Sequence, residues 1–598
     1  MTKKGSSKFT NRLFSWAFFW IVLLAIVFLN IISNYVNYRI DMTQDGRYTL
    51  SEDTKKFLEN PKNLKNRLNV KIYLDGKLPS ELRTFRNAIE EKLNEFREIA
   101  GDRIEYEFID PNVGTEQEQY ELQQSLVASG KGIFQLDMVY ESEGDQIKME
   151  VWPGAVFEYG GATVGYLQFL PGTPKGVTYQ LSQVVESIEN SLINLEYNLI
   201  SSIRRAVKDK KQRIAFLQGH GELDSDHTVL ARRSIGSNYN VTEITINDSI
   251  AALNDVDGLI IASPKTPFTD KELYVIDQFV MRGGKLMCLL DAVELNEDSL
   301  NANGNAHTVR LETGIDDMLF DYGLKLNDNL VVDADNCMEK VLYYANIPSI
   351  PKWFFYVLAE PTLHPISKNV ERVSLKYTSE VEILDLPGVT ITPILTSSTN
   401  SNVTGYAPLV SLGMPMNYGD NPELVPNLQD ESNKHVLAAI AEGTFLSRFR
   451  NRIIDDQYLT AIESDPELKR KYKKLNSSSK PGKIVLIGNG RFISNSLRVN
   501  AQGQLFPSLQ LDEDLYFYQG KSQLVGNKEF FENLVDYTMD EGTILNLRTR
   551  KVDIYALDKY KVKNEGKFYK AINIIIPVLL VGLFAALMLF IRKRKYAK

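Results

Sequence analysis

A chain of 598 residues, 43% hydrophobic, 10% aromatic and 24% charged, has the makeup of a folded protein of three or four domains and excludes a low-complexity polymer. Its net charge is −8, and the tails carry nine basic and no acidic residues (four in 1–12, five in 592–598), which leaves the part between them near −17. So acidic a body argues against nucleic acid as a partner and against electrostatic docking onto anionic lipid.

A basic tail, 1–12, is followed by Leu13–Ile32, 20 residues without a charge. About 20 apolar helical residues cross a bilayer core of roughly 30 Å. The run is longer than a signal-peptide core, and no small-x-small cleavage pattern follows at Ser33–Asn37. It reads as an uncleaved transmembrane helix over 13–33. Lys3, Lys4, Lys8 and Arg12 precede it, whereas Asp41 and Asp45 accompany Arg39 and Arg47 beyond it. The positive-inside rule then puts the N-terminus in the cytoplasm and the bulk outside.

Residues 34–175 read as a small α/β domain. Ser51 is a helix N-cap with Glu52 and Asp53 in the first turn. Leu68–Leu74 is a strand, and Ser80 opens a helix to about Ala100, ended by Gly101, with Leu82, Phe85, Ile89, Leu93 and Phe96 on one face. Ile104–Ile109 is the returning strand. A Gln/Glu-rich helix, Glu116–Ala128, precedes Phe134–Glu141, Gln146–Tyr159 and Thr163–Phe169, which turn dipeptides mark as a meander of hairpins. Residues 176–210 have helical periodicity throughout (Leu181, Val184, Ile188, Leu192, Leu195, Leu199, Ile203), as a long connecting helix or an ordinary domain helix would.

Residues 211–560 open with RIAFLQGHGELD, and strand, turn and helix then repeat. Ile214–Leu217, Tyr239–Ile246, Asp257–Ser263 and Lys285–Asp291 are strands; Asp226–Ser237 and Asp270–Arg282 are helices. Near-continuous apolar strands alternating with helices predict a larger doubly wound, mainly parallel α/β domain. Glu294–Glu312 reads as a surface loop. From Tyr343 to Gly482 the pattern weakens, with strands at Val373–Tyr377, Val389–Ile394 and His435–Glu442 between polar loops Thr396–Tyr406 and Met416–Asn433. Lys483–Ile487 leads into Gly488-Asn489-Gly490, and Glu529–Met539 is a helix. A charged stem, 561–570, then joins a second uncharged run, Ala571–Ile591, of 21 residues, and a basic cytoplasmic tail, 592–598. Two spans return both termini to the cytoplasm.

Catalytic signatures are sparse. The chain has no GxxxxGK[ST] phosphate loop, no GxSxG elbow, no HExxH and no CxxC. Five histidines (His220, His227, His307, His364, His435) show no metal-ligand spacing, and no cofactor is expected. The most suggestive feature is Gly219-His220-Gly221-Glu222, with Asp224 behind it, between a buried strand and a helix. Ligands of open α/β sheets bind outside the carboxyl ends of the strands, where this turn lies. A tight turn with local hydrogen bonds is the plainer reading. Cys288 lies in the apolar strand KLMCLLD as a small hydrophobe, and its pairing with Cys337 stays open. In the second run Gly582, Ala585 and Ala586 are small residues at a spacing that lets helices pack closely in lipid.

Several of these stretches occur together, and in this order, in a known family. They are the N-terminal anchor, Arg39-x-Asp41-x-Thr43, Arg47-Tyr48-Thr49-Leu50-Ser51, KIYLDGKLP, FLQGHGELD, Gly283-Gly284-Lys285, IVLIGNGRFISN with FFENLVDY, and the anchor ending RKRKYAK. With them the whole chain resembles the gliding-motility-associated ABC transporter auxiliary proteins of the GldG family. The resemblance implies a non-enzymatic, two-pass protein of the bacterial inner membrane with a large periplasmic body, often labelled substrate-binding. Its implied partners are a multi-span permease and a cytoplasmic ATPase, in machinery for gliding and the associated secretion. The central domain also looks like one shared with intraflagellar-transport proteins of the "52" type, which serves assembly. Two other classes remain on the residues alone. One is a membrane-tethered envelope scaffold or glycan or peptidoglycan binder without transport. The other is a hydrolase or amidotransferase-like enzyme, whose nucleophile would stand at a sharp strand-to-helix turn, where none is evident.

Overall fold

The computed structural model describes residues 50–127, 133–142, 145–170, 172, 178–207, 211–236, 238–247, 249–344, 347–368, 370–417, 433–452, 472–499, 503, 505–507, 515–518, 521–539 and 559–596, with positions 20, 21, 24 and 28. Two compact units are distinguished: Leu50–Arg550, and Met1–Thr49 with Lys551–Lys598. The protein is mixed α/β with many sheets.

The body opens with helix α1 (Glu52–Glu59), capped as its sequence predicts: the Ser51 hydroxyl accepts from Thr54 N at 3.1 Å. Strand β1 (Leu68–Ile72), helix α2 (Ser80–Ala100) and strand β2 (Ile104–Phe108) make a parallel β-α-β unit. The five predicted apolar residues of α2 are all fully buried. Its N-cap is Pro79 rather than Ser80, and Gly101, at φ 64°, ends it as expected. Helix α3 (Glu116–Val127) follows.

The predicted meander is divided between two sheets. Strands β3 (Leu136–Ser142) and β4 (Asp145–Val151) pair with each other, whereas β5 (Gly154–Tyr159) joins β1 and β6 (Ala162–Gln168). The expected strand Gln146–Tyr159 breaks at Trp152-Pro153, because proline has no N–H to give a ladder. The four-stranded sheet runs β2-β1-β5-β6. The expected connecting helix is two helices, α4 (Leu181–Ile193) and α5 (Leu195–Ala206), meeting at Asn194. Val184, Ile188, Leu199, Ile200 and Ile203 share one apolar core with α2 and β1, so these helices cover the small sheet.

The large sheet has ten strands. Strands β7 (Arg213–Leu217), β8 (Asn240–Ile244), β9 (Gly258–Ala262) and β10 (Lys285–Leu289) are the first four of its parallel half. Beyond them along the chain come β11 (Cys337–Glu339), β12 (Lys352–Pro361), β13 (Val373–Lys376), β14 (Val389–Thr396), β15 (Val436–Gly443) and β16 (Gly482–Ile487). The spatial order is β8-β7-β9-β10-β16-β15-β14-β12-β11, with β13 on β12. Pairing is parallel from β8 to β16 and antiparallel from there on. The sheet is therefore mixed, where a mainly parallel one was expected.

Both faces of its parallel half are covered. Ile214, Phe216, Ile260, Met287, Val485 and Ile487 pack with helices α6 (Ser225–Gly236) and α9 (Asn527–Met539). The alternate residues Ala215, Leu217, Leu259, Ile261, Leu286 and Cys288 pack with α7 (Asp270–Met281) and α8 (Ile315–Asp321). Strand side chains alternate between faces, so a strand covered on both sides reads as an unbroken apolar run. The loop expected at Glu294–Glu312 contains a short helix, Glu297–Asn303, because Asn296 caps it by accepting from Ser299 N at 2.8 Å. Most of the loop expected at Met416–Asn433 lies outside the described residues.

In the other unit, stem, apolar run and basic tail form one continuous helix, α10 (Lys559–Tyr596). Within it Lys570–Ile591 is 22 residues long, spanning about 33 Å at 1.5 Å per residue, and is long and apolar enough to cross a membrane. Pro577 sits inside this helix. The first run, Leu13–Ile32, lies outside the described residues except for Trp20, Ile21, Leu24 and Phe28, which are helical.

Candidate functional site

The GHGE turn stands at the carboxyl end of β7, with the ends of β9, β10 and β16 beside it. Gly219 has φ 129° and Gly221 φ 74°, values that glycine adopts without penalty. The turn is tied to its neighbours through the backbone: Gln218 N donates to Ile244 O at 2.9 Å, and Leu223 N to Ala262 O at 3.0 Å. The His220 carbonyl accepts from Lys265 N at 2.6 Å and Thr266 N at 3.0 Å.

His220 and Glu222 are both buried, at 6% and 8% exposure. Nδ1 of His220 lies 3.3 Å from Glu222 Oε1, and Nε2 lies 3.2 Å from Glu272 Oε2. Its backbone N donates to Glu222 Oε2 at 2.6 Å, and its ring stacks on Phe268 at 3.8 Å between centroids. Burial works against the imidazolium, but the hydrogen bonds to Glu222 and Glu272 outweigh it and raise the His220 pKa.

Glu272 has a second duty. It closes the capping box of α7, accepting from Thr269 N at 2.9 Å, while the Thr269 hydroxyl accepts from Glu272 N. Burial opposes its ionisation, yet the bonds from Thr269 and His220 hold its carboxyl below the usual range. Asp224 faces the next helix instead. It accepts from His227 N and His227 Nδ1, each at 2.8 Å, at the start of α6. The bond from His227 N leads in holding the Asp224 carboxyl below its ordinary value.

A second knot joins the remaining strand ends. Ser263, directly after β9, has φ 55°, unusual for a residue with a Cβ. It stands at a sharp strand-to-helix turn, the place of a nucleophile in the enzyme reading. However, Ser263 is 1% exposed and its hydroxyl donates to Asp291 Oδ2 at 2.6 Å. Asp291 Oδ1 accepts from Gly490 N at 2.8 Å, and Lys265 Nζ approaches Asp291 at 3.5 Å and Glu294 at 3.2 Å. A Cβ on Gly490 would lie 2.6 Å from the Cβ of Ser263, so only glycine fits there.

The structure thus brings together Gly219, His220, Gly221 and Glu222, and separates Asp224 from their network. Glu272, Phe268, Ser263, Lys265 and Asp291 join the site without having been expected from the sequence. Of these only Glu272 had a local signal, the Thr-x-x-Glu spacing of a capping box. Chemically the site is a closed set of hydrogen bonds that locks four strand ends and the start of α7. Among the described residues no three His, Cys, Asp or Glu side chains are grouped to hold a metal ion. Ser477 and Lys480 do have S-x-x-K spacing, but in a non-helical segment bridged to Leu446, so no helical turn stacks them.

In α10, a Cβ on Gly582 would meet no atom within 4 Å. Gly582 and Ala586 are four residues apart and share a helix face with Ala585 beside them. The apolar side chains from Ile574 to Ile591 are 49–70% exposed.

Comparison with known proteins gives these elements relatives. Residues 44–158 match a domain of unknown function (DUF7088). An uncharacterized protein of Borreliella burgdorferi is 20% identical over 586 residues, covering 96% of this chain and 97% of its own. Among solved structures, the mmIFT52 N-terminal domain aligns with 47% of this chain and 88% of its own, at 14% identity and a TM-score of 0.26. An exo-β-1,4-mannosidase of Opitutaceae bacterium strain TAV5 aligns with 35% of this chain and 31% of its own, at 12% identity and a TM-score of 0.16. The model of the ABC-type uncharacterized transport system family matches residues 211–533, more than half of the chain. That stretch holds the large sheet with both of its knots, and the chain belongs to this family of transport-system auxiliary components.

Proposed function

We propose that the chain is a non-enzymatic accessory subunit of an ABC-type transporter, with its body in the periplasm and both ends anchored in the inner membrane. The observation that carries this reading is the family match over 211–533 in a chain that also has a membrane-length helix at Lys570–Ile591. The chain has no GxxxxGK[ST] loop, so a partner ATPase would supply hydrolysis and a permease the path. The large domain is read as doubly wound in its parallel half, a rigid frame for docking partners. The association with gliding motility and secretion, and membership of the GldG family, rest on the resemblance of motifs. The closed hydrogen-bond network around His220 and Ser263 supports a structural role for the GHGE turn and a non-catalytic body. Gly582, Ala585 and Ala586 are the positions where α10 would meet a permease helix.

The test is purification of the full chain from detergent extracts through its C-terminal tail. A permease and an ATPase should accompany it, and Gly582→Leu with Ala586→Leu should reduce their recovery several-fold. A chain recovered alone would contradict the reading.

A further inference from the structure

The opposite edge of the large sheet carries a second feature, which the family match leaves without a role. A cleft of about 240 Å³ opens at the amino ends of β7, β9 and β10. Its lining includes Arg282, Lys285 and Lys480, against Asp257 as the one carboxylate. In a body of net charge near −17, Arg282 and Lys480 brought together in one cleft call for a physical reason.

Asp257 Oδ2 accepts from Arg213 N at 2.8 Å, which fixes this carboxylate at the start of β7. Arg282 has no ion pair among the described residues. Its guanidinium reaches the Lys473 carbonyl at 3.5 Å and lies 5.9 Å from the Tyr472 ring centroid. Among the described residues its side chain makes this one hydrogen bond, out of five N–H donors. Arg282 caps the carboxyl end of α7, where the helix dipole favours a cation. No such reason applies to Lys480, which comes from the segment before β16. Its stem lies over Gly283, whose missing Cβ would stand 3.5 Å from Lys480 Cε. Gly283 itself has φ 94°, and a Cβ on Gly284 would overlap the Phe279 ring. The two glycines let the chain turn tightly here, with Phe279 and Lys480 packed directly against the backbone.

We propose that this cleft binds a small oxyanion, in the first place a phosphoryl group. Arg282 offers a planar fork that matches two oxygens of such a group, and Lys480 adds a point charge. Backbone donors take no part, because Arg282 N, Gly283 N, Gly284 N and Lys285 N are all bonded to carbonyls. Binding thus depends on side-chain charge and is open to substitution without breaking the fold. A ligand here would sit at the far edge of the sheet from the GHGE turn.

Calorimetric titration of the full chain in detergent tests this, at constant ionic strength held with sodium chloride. The probes are inorganic phosphate and glycerol 3-phosphate, which separate a free anion from the phosphate of a lipid headgroup. Saturable binding is expected for at least one probe, weakened tenfold or more in Arg282→Gln and in Lys480→Glu. Lys480 is exposed, so its variants report on binding without loss of the fold. Absence of saturable binding of both probes in the wild type, or equal affinity in Lys480→Glu, overturns the proposal. This outcome is independent of whether transporter partners are recovered.

Discussion

At the scale of single residues, two histidines give stability opposite dependences on pH. His220 is raised above its ordinary value, so the folded protein holds its proton longer than the unfolded chain does. The stability this contributes is complete below about pH 6.5 and is lost as pH rises through the folded value. His364 is the reverse case. Burial first, and then the charge of Lys483, press its pKa down to about 4. Its neutral form is the folded one, so stability falls as pH drops from about 6.5 towards 4. In denaturant melts across pH, His220→Asn should flatten the limb above 6.5 and His364→Asn the limb below it. Curves parallel to wild type for both variants would contradict these environments. Cysteine chemistry follows from burial in the same way. Both thiols are free, and burial pushes Cys337 up to about 12 and Cys288 higher still. A thiolate-directed reagent should label neither in the native protein and both in denaturant.

At the scale of elements, the stop and start signals were legible where they are local. Ser51, Gly101, and the apolar runs of β7, β9, β10 and β16 could be read directly. Thr269 and Glu272 mark the start of α7 in sequence, but the bond from Glu272 to His220 joins residues 52 apart. No local pattern encodes such a contact, and the same holds for Ser263 with Asp291. Strand β12 was missed because its apolar run, Trp353 to Ala359, has no two-residue alternation and, unlike β7, β9 and β10, no helix alternating with it to mark it as a sheet strand. Gln146–Tyr159 was read as one strand although Pro153 divides it between two sheets. The capping box predicts that Thr269→Ala costs about 1 kcal/mol. Gly490→Ala should cost more, about 1–3 kcal/mol by overpacking against Ser263 and Asp291. If Ser263 serves structure, Ser263→Ala should lower stability by removing the hydroxyl donor of Asp291 Oδ2, yet preserve function in cells at permissive temperature. Loss of function with unchanged stability would favour the enzyme reading instead.

At the scale of the molecule, composition already pointed to a folded acidic body between basic, apolar ends. The parallel half of the large sheet followed from its alternation of strands and helices, whereas the antiparallel half did not. There, short strands such as Cys337–Glu339 are separated by polar loops and pair with residues far along the chain. The apolar helix Lys570–Ile591 has no polar face to turn towards water, so lipid or neighbouring helices must cover it. Coupling to a transporter through this helix is the centre of the account. Mass spectrometry of the intact assembly, purified from detergent through the C-terminal tail, tests it most directly. A permease and an ATPase should be found bound at fixed stoichiometry to the folded chain. A folded chain that carries neither, under conditions that keep the helix Lys570–Ile591 intact, would contradict it.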